Sequence, residues 1–158
     1  MTRHVAVAAT GPLAVDAGLT AVRAGGNAVD AAIAAMCVAM TSEPGVVSPM
    51  GGAFVTIWPA DAEPVTIDGN VEMPGRGLPA ERFGQGLREI DLAYGGGITI
   101  FGGFGAVALP GALSALGMAH ERYGSGAWAQ ALEPAEKAAR QGFRLGGAAA
   151  SYLALTTD

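Results

Sequence analysis

The sequence is poor in the residues that catalysis and metal binding most often use. It has one cysteine, Cys37, so no internal disulfide can form. That residue sits in an apolar run and reads as a small buried core residue. Its two histidines, His4 and His120, lie far from Cys37 and from each other, which excludes a zinc-type spacing. No metal and no cofactor is expected. Lysine occurs once, at Lys137, and the net charge is −5. The clustered Lys and Arg of a nucleic-acid partner are therefore missing. Charged residues make up 15%, below the roughly 25% usual for soluble domains. A chain that is 51% apolar buries surface rather than staying disordered. Long hydrophobic runs are also lacking. The longest, Ala31–Met40, is too short for a bilayer, which takes roughly 20 residues. Met1-Thr2-Arg3-His4 leads into too short an apolar stretch for a secretory signal. No membrane partner is expected, and the expected location is cytoplasmic.

What the chain has in abundance is glycine, 25 residues without a fixed period, gathered at 25–26, 51–52, 95–97, 102–105 and 146–147. Such clusters mark tight turns between packed elements. Val5–Ala9 reads as a buried strand before the Thr10-Gly11-Pro12 turn. A helix over Leu13–Ala24 follows, with Leu13, Ala17 and Ala21 on its inner face, and Gly25-Gly26 stops it. Asn27 caps a second helix, Ala28–Thr41, and Asp30 complements its positive end. That helix is apolar nearly all round, so it belongs in a buried layer, with Val29, Ile33, Met36 and Cys37 inside. Ala53–Trp58 and Pro64–Asp68 read as a strand and its return. Residues 69–97 read as mostly irregular, with a short helix near Ala80–Phe83. Ile98–Phe101 and Gly105–Leu109 are strand candidates. Ala112–Tyr123 is a helix with Leu113, Leu116, Ala119 and Tyr123 inward. Trp128, Leu132, Ala135 and Ala139 mark another, which Pro134 kinks or divides. Ala148–Leu155 starts a last helix. Two helices early, strands in the middle and helices late define one layered domain, α/β or α+β.

The chemistry visible in the residues alone is thin. No Gly-x-Ser-x-Gly elbow occurs. The glycines at 95–105 lack the Lys-Ser/Thr ending of a phosphate loop, and their spacing fails the dinucleotide fingerprint. Gly51-Gly52 is the more interesting pair, because backbone N–H groups bared by glycine can hold a carboxylate or an oxyanion.

Three blocks carry a resemblance. The first is Pro12-Leu13-Ala14, Ala17-Gly18-Leu19 and the string Arg23-Ala24-Gly25-Gly26-Asn27-Ala28-Val29-Asp30-Ala31-Ala32. The second is Glu43-Pro44 with Ser48 and Gly51-Gly52-Ala53-Phe54. The third runs from Val107-Ala108-Leu109-Pro110-Gly111 through Tyr123-Gly124, Trp128 and Leu132-Glu133-Pro134-Ala135 to Ala138-Ala139-Arg140-Gln141-Gly142-Phe143. In this order, over about residues 5–145, they resemble the front of the gamma-glutamyltransferase (gamma-glutamyltranspeptidase, glutathione hydrolase) family. The resemblance implies an α+β fold, the αββα four-layer sandwich of N-terminal nucleophile hydrolases, of which residues 1–158 form only the N-terminal segment of the large subunit. It implies one precursor that cleaves itself before a threonine, whose hydroxyl then attacks an amide carbonyl. That threonine is expected downstream, so no catalytic residue is assigned here, and Thr156 and Thr157 sit too early to be it. The implied partners are the small subunit from the same precursor and a small amide or gamma-glutamyl substrate. The resulting heterodimer could itself form a homo-oligomer.

One position departs from the family pattern. There, an arginine in an Arg-Glu-x-x-Pro context grips the substrate α-carboxylate, a task suited to its bidentate fork. Aligned on Asp68 and Pro74, the matching position here is Asn70. Either Arg76 substitutes for the missing arginine, or the substrate is not a standard gamma-glutamyl compound. The candidate substrate-binding residues are thus Gly51, Gly52, Asn70 and Arg76. Two further readings compete with the enzyme: a degenerate homologue that binds an amino-acid-like ligand without catalysis, and an interaction module docking through its apolar surface.

Overall fold

The computed structural model describes residues 4–155. Helix α1 (Pro12–Arg23) starts with proline at its first turn, where the missing N–H costs nothing. It ends as the sequence implies: Gly25 turns left-handed at φ 97°, and Gly26 N–H reaches back to Ala21 O at 3.0 Å. One residue later α2 (Ala28–Ser42) begins with a full capping box. The Asn27 side chain accepts from Val29 N and Asp30 N, and Asp30 Oδ2 accepts from Asn27 N at 2.8 Å. Helix α2 is the centre of the fold, packed against α1, α3 (Ala112–Tyr123) and α4 (Trp128–Gln141). Its Ile33 and Val38, with Leu116 of α3, are the largest fully buried side chains. Ile33 and Cys37 are buried as expected; Val29 and Met36 are half-buried.

The strands form two separate antiparallel pairs. β1 (Ala53–Ile57) pairs with β2 (Val65–Gly69), Ala53 opposite Gly69 and Ile57 opposite Val65. Alternation places Val55, Ile57 and Ile67 against Ala115 and Ala119 of α3, while Phe54, Thr56, Thr66 and Asp68 face outward. β3 (Arg88–Leu92) pairs with β4 (Ile98–Gly102) in a hairpin that closes through Gly95, Gly96 and Gly97, all at positive φ. α5 (Gly147–Ala154) follows α4. Wholly antiparallel pairing beside a helical layer is the α+β arrangement.

Several sequence expectations need correction. Val5–Ala9 is not a strand: it finds no ladder partner among the described residues, and a run of apolar residues is not a strand without one. Gly105–Leu109 is a 3-10 turn, Phe104–Ala106, followed by a single bridge from Leu109 to Glu72. Residues 69–97, read as irregular beyond a short helix, contain β3 as well as the 3-10 turn Ala80–Arg82. Pro134 does not divide its helix, since α4 runs continuously across it. The inner faces are set by alanine rather than leucine. Ala14, Ala17 and Gly18 face inward on α1 while Leu13 is exposed. On α3 the buried residues are Ala112, Ala115, Leu116 and Ala119, with Leu113 outside and Tyr123 half-buried. On α4, Ala131, Ala135 and Ala138 are buried while Ala139 is exposed. Helices this close leave room for a methyl group and little more.

Candidate substrate-facing site

Three loops that the sequence spaces widely meet at the end of the β1–β2 hairpin. The carbonyl of Gly51 accepts from Gly111 N and Ala112 N, at 3.2 and 3.1 Å, just where α3 begins. Beside it the segment after β2 exchanges two backbone bonds with Leu109, Glu72 N to Leu109 O at 3.1 Å and Leu109 N to Glu72 O at 2.7 Å. The fit depends on glycine. A methyl group on Gly111 would stand 2.4 Å from Gly69 O, and one on Gly52 would stand 2.8 Å from Asn70 Oδ1 and 2.9 Å from Val71 N.

Gly51, Gly52 and Asn70 are thus brought together. Asn70 is exposed, and its N–H donates to Asp68 Oδ1 at 2.9 Å, a local turn that projects the carboxamide at the hairpin's end. Gly51 N–H is already engaged, donating to Ser48 O at 3.0 Å, so it is not a bared donor for an anion. Arg76 sits apart on the exposed segment beyond Pro74. Its Nη2 donates to both oxygens of Glu72, at 2.9 and 3.0 Å. On the other side of the Gly51-Gly52 loop lies an apolar cavity of about 690 Å³, lined by Val7, Met36, Val47, Phe54 and neighbours, with no charged side chain in its wall.

The polar centre of the chain lies elsewhere, and sequence reasoning saw only part of it. Buried Asp30 accepts not only from Asn27 N but from Ser125 N, Ser125 Oγ at 2.8 Å and Gly126 N. Burial by itself would push its carboxyl up; the bonds from Asn27, Ser125 and Gly126 outweigh burial and hold it below the ordinary 3.8. His120 Nε2 lies 2.9 Å from Gly126 O, its ring edge-on to Trp128. This knot ties α2 to the loop between α3 and α4. Its only sequence signals are an acid in a first turn and the loop Gly124-Ser125-Gly126. A second tie joins the loop before α1 to the end of α2, where Thr10 Oγ1 donates to the buried carboxylate of Glu43. Cys37, buried, has its thiol pushed up to about 11. Among the described residues no cluster of acids, histidine and cysteine could hold a metal ion, and no helix is long and apolar enough to cross a membrane. Thr156 and Thr157 lie outside the described residues.

Comparison with known proteins agrees with this architecture. The model of the gamma-glutamyltranspeptidase family matches residues 14–158. The chain is 37% identical over 136 residues to the acylase ACY 1 proenzyme of a Pseudomonas species, strain SE83, covering 84% of this chain and 24% of that one. It is 31% identical over 137 residues to the glutathione hydrolase proenzyme of Bacillus subtilis, covering 87% of this chain and 23% of that one. Among solved structures, the gamma-glutamyltranspeptidase from Pseudomonas nitroreducens complexed with L-DON superposes with a TM-score of 0.75 at 25% identity, over 98% of this chain and 44% of that one. The chain belongs to the gamma-glutamyltranspeptidase family, a family of amide hydrolases and transferases, and has the fold of its N-terminal portion. It spans about a quarter of the length of the curated relatives it matches.

Proposed function

We propose that residues 1–158 form the leading, incomplete part of the large subunit of a gamma-glutamyltransferase-like amide hydrolase or acyltransferase. They supply scaffold and one wall of the substrate pocket. The nucleophile is the N-terminal threonine of a small subunit cut from the same precursor, its α-amine acting as base. The observation that carries this reading is the family match over residues 14–158 in a chain about a quarter as long as its relatives. Both relatives are named proenzymes, which supports maturation by cleavage. The wall is the surface formed by Gly51, Gly52 and Asn70, and the bare apolar side chains Phe54 and Trp58 await cover from the rest of the protein.

The test is to express the complete precursor and follow its processing. Two polypeptides should appear, the smaller beginning with threonine, and alanine at that position should leave a single, inactive chain. An uncut polypeptide that hydrolyses amides at full rate would overturn the reading. A second reading of the substrate has its own support. Asn70 is neutral where a gamma-glutamyl α-carboxylate calls for a cation, and one relative is named an acylase.

A further inference from the structure

We infer that the substrate brings no carboxylate to residue 70, and that its acyl group ends there in a neutral or ammonium-bearing group. The inference deepens the proposed function and rests on its premise that residue 70 faces the acyl group. After Arg23 the next Lys or Arg in the chain is Arg76, so the whole stretch through α2, β1 and β2 is without a fixed cation. The loops that meet at Gly52 carry two carboxylates instead. Asp68 accepts the Asn70 N–H at 2.9 Å, and Glu72 lies two residues beyond Asn70.

Arg76, the Lys or Arg nearest to Asn70 in the sequence, already has a partner. Glu72 binds its Nη2 through both carboxylate oxygens, at 2.9 and 3.0 Å, so the segment from Asp68 to Arg76 keeps a net charge of −1. The N–H groups of Arg76 that Glu72 leaves free could reach a substrate carboxylate only by bringing it beside the carboxylate of Glu72. Like charges within about 4–6 Å disfavour each other. Asn70 can donate two hydrogen bonds from its carboxamide but cannot neutralise an anion. An uncharged end satisfies that carboxamide without cost, and an ammonium is drawn to Asp68.

The test compares two ligands that differ only in the α-carboxylate, L-glutamate and 4-aminobutyrate, titrated by calorimetry into the processed full-length protein. Turnover of the matching p-nitroanilides is measured alongside. The wild type should bind 4-aminobutyrate at least as tightly as glutamate. Asn70→Arg, an exposed substitution that should not disturb folding, should move the ratio of affinities about tenfold or more toward glutamate. Arg76→Ala should leave the wild-type ratio within about threefold. A wild type that prefers glutamate about tenfold, a preference for glutamate lost in Arg76→Ala, or binding of neither ligand would each overturn the inference. If the affinity ratio is as expected but no anilide is turned over, the hydrolase reading fails and this one stands.

Discussion

At Asp30 a single carboxylate collects donors from both ends of the chain. A hydrogen bond to a charged group contributes about 1.5–3 kcal/mol, and removing one partner of a buried set leaves the others unsatisfied. Asp30→Asn removes the charge and turns an NH2 group toward the N–H groups of Ser125 or Gly126. The expected loss is roughly 2–4 kcal/mol, which thermal unfolding of a complete protein about four times this length would register as a midpoint lower by about 1–4 °C. The sign of the pH effect follows from the lowered carboxyl. Between 3.8 and its lower native value, the unfolded chain takes up a proton that the native chain refuses. The stability that Asp30 contributes is complete above that range and drains away as the pH falls through it. Wild type should therefore lose stability more steeply below about pH 4 than Asp30→Asn does. Cys37 gives a second residue-scale expectation. A buried thiol at about 11 holds almost no thiolate at pH 8. Mass spectrometry after iodoacetamide at that pH should find Cys37 unmodified until denaturant is added. The capping role of Asp30 is legible in Asn27-Ala28-Val29-Asp30, because capping boxes are local. Its bonds to Ser125 are not, because nothing in a linear sequence brings residue 125 to residue 30.

Among elements, the joint between the β1–β2 hairpin and α3 is the least forgiving. A methyl group on Gly111 meets backbone oxygens on two sides, Gly69 O at 2.4 Å and Asn70 O at 2.6 Å, and neither can rotate away. Gly111→Ala should cost roughly 1–3 kcal/mol by forcing the joint apart. Gly117, inside the same helix, has open space around its missing Cβ. Gly117→Ala should stabilise by about 0.5–1 kcal/mol, since glycine weakens a helix interior. Paired urea melts of the two variants check both signs. Helices α1 to α4 were legible because proline, asparagine and glycine punctuate them. The inner faces were misread at Leu13 and Leu113, since the tight packing selects alanine and sends leucine outward. β3 escaped notice because Arg88-Glu89-Ile90-Asp91-Leu92 alternates with charges on a hairpin whose aliphatic face, Ile90, Ile98 and Ile100, is itself exposed. Asn70 is legible through its place in a family motif, whereas the approach of Gly52 to it and the engagement of Arg76 by Glu72 are matters of tertiary geometry.

For the whole molecule, the bare surface has a functional counterpart. Trp58 and Phe104 are 79% and 87% exposed, and under the proposed function such surface is where the rest of the protein would dock. On the proposed function, which puts the nucleophile elsewhere in the precursor, a polypeptide of residues 1–158 alone should show no turnover of gamma-glutamyl anilides, a loss of orders of magnitude relative to the processed protein. Turnover by the purified fragment, abolished by a substitution within it, would contradict that expectation.

The tie between Asp30 and Ser125 also orders events during synthesis. At roughly 5–20 residues per second, the ribosome takes on the order of 5–20 s to travel the 95 positions separating them. For most of that interval α2 has α1 beside it but neither α3 nor α4, and its carboxylate is served by Asn27 and water. In that window an apolar helix is covered by α1 alone, the kind of half-bare segment that chaperones seize. Translation through Gln141 completes the set, because Ser125, Gly126 and the covering helices α3 and α4 are by then all made.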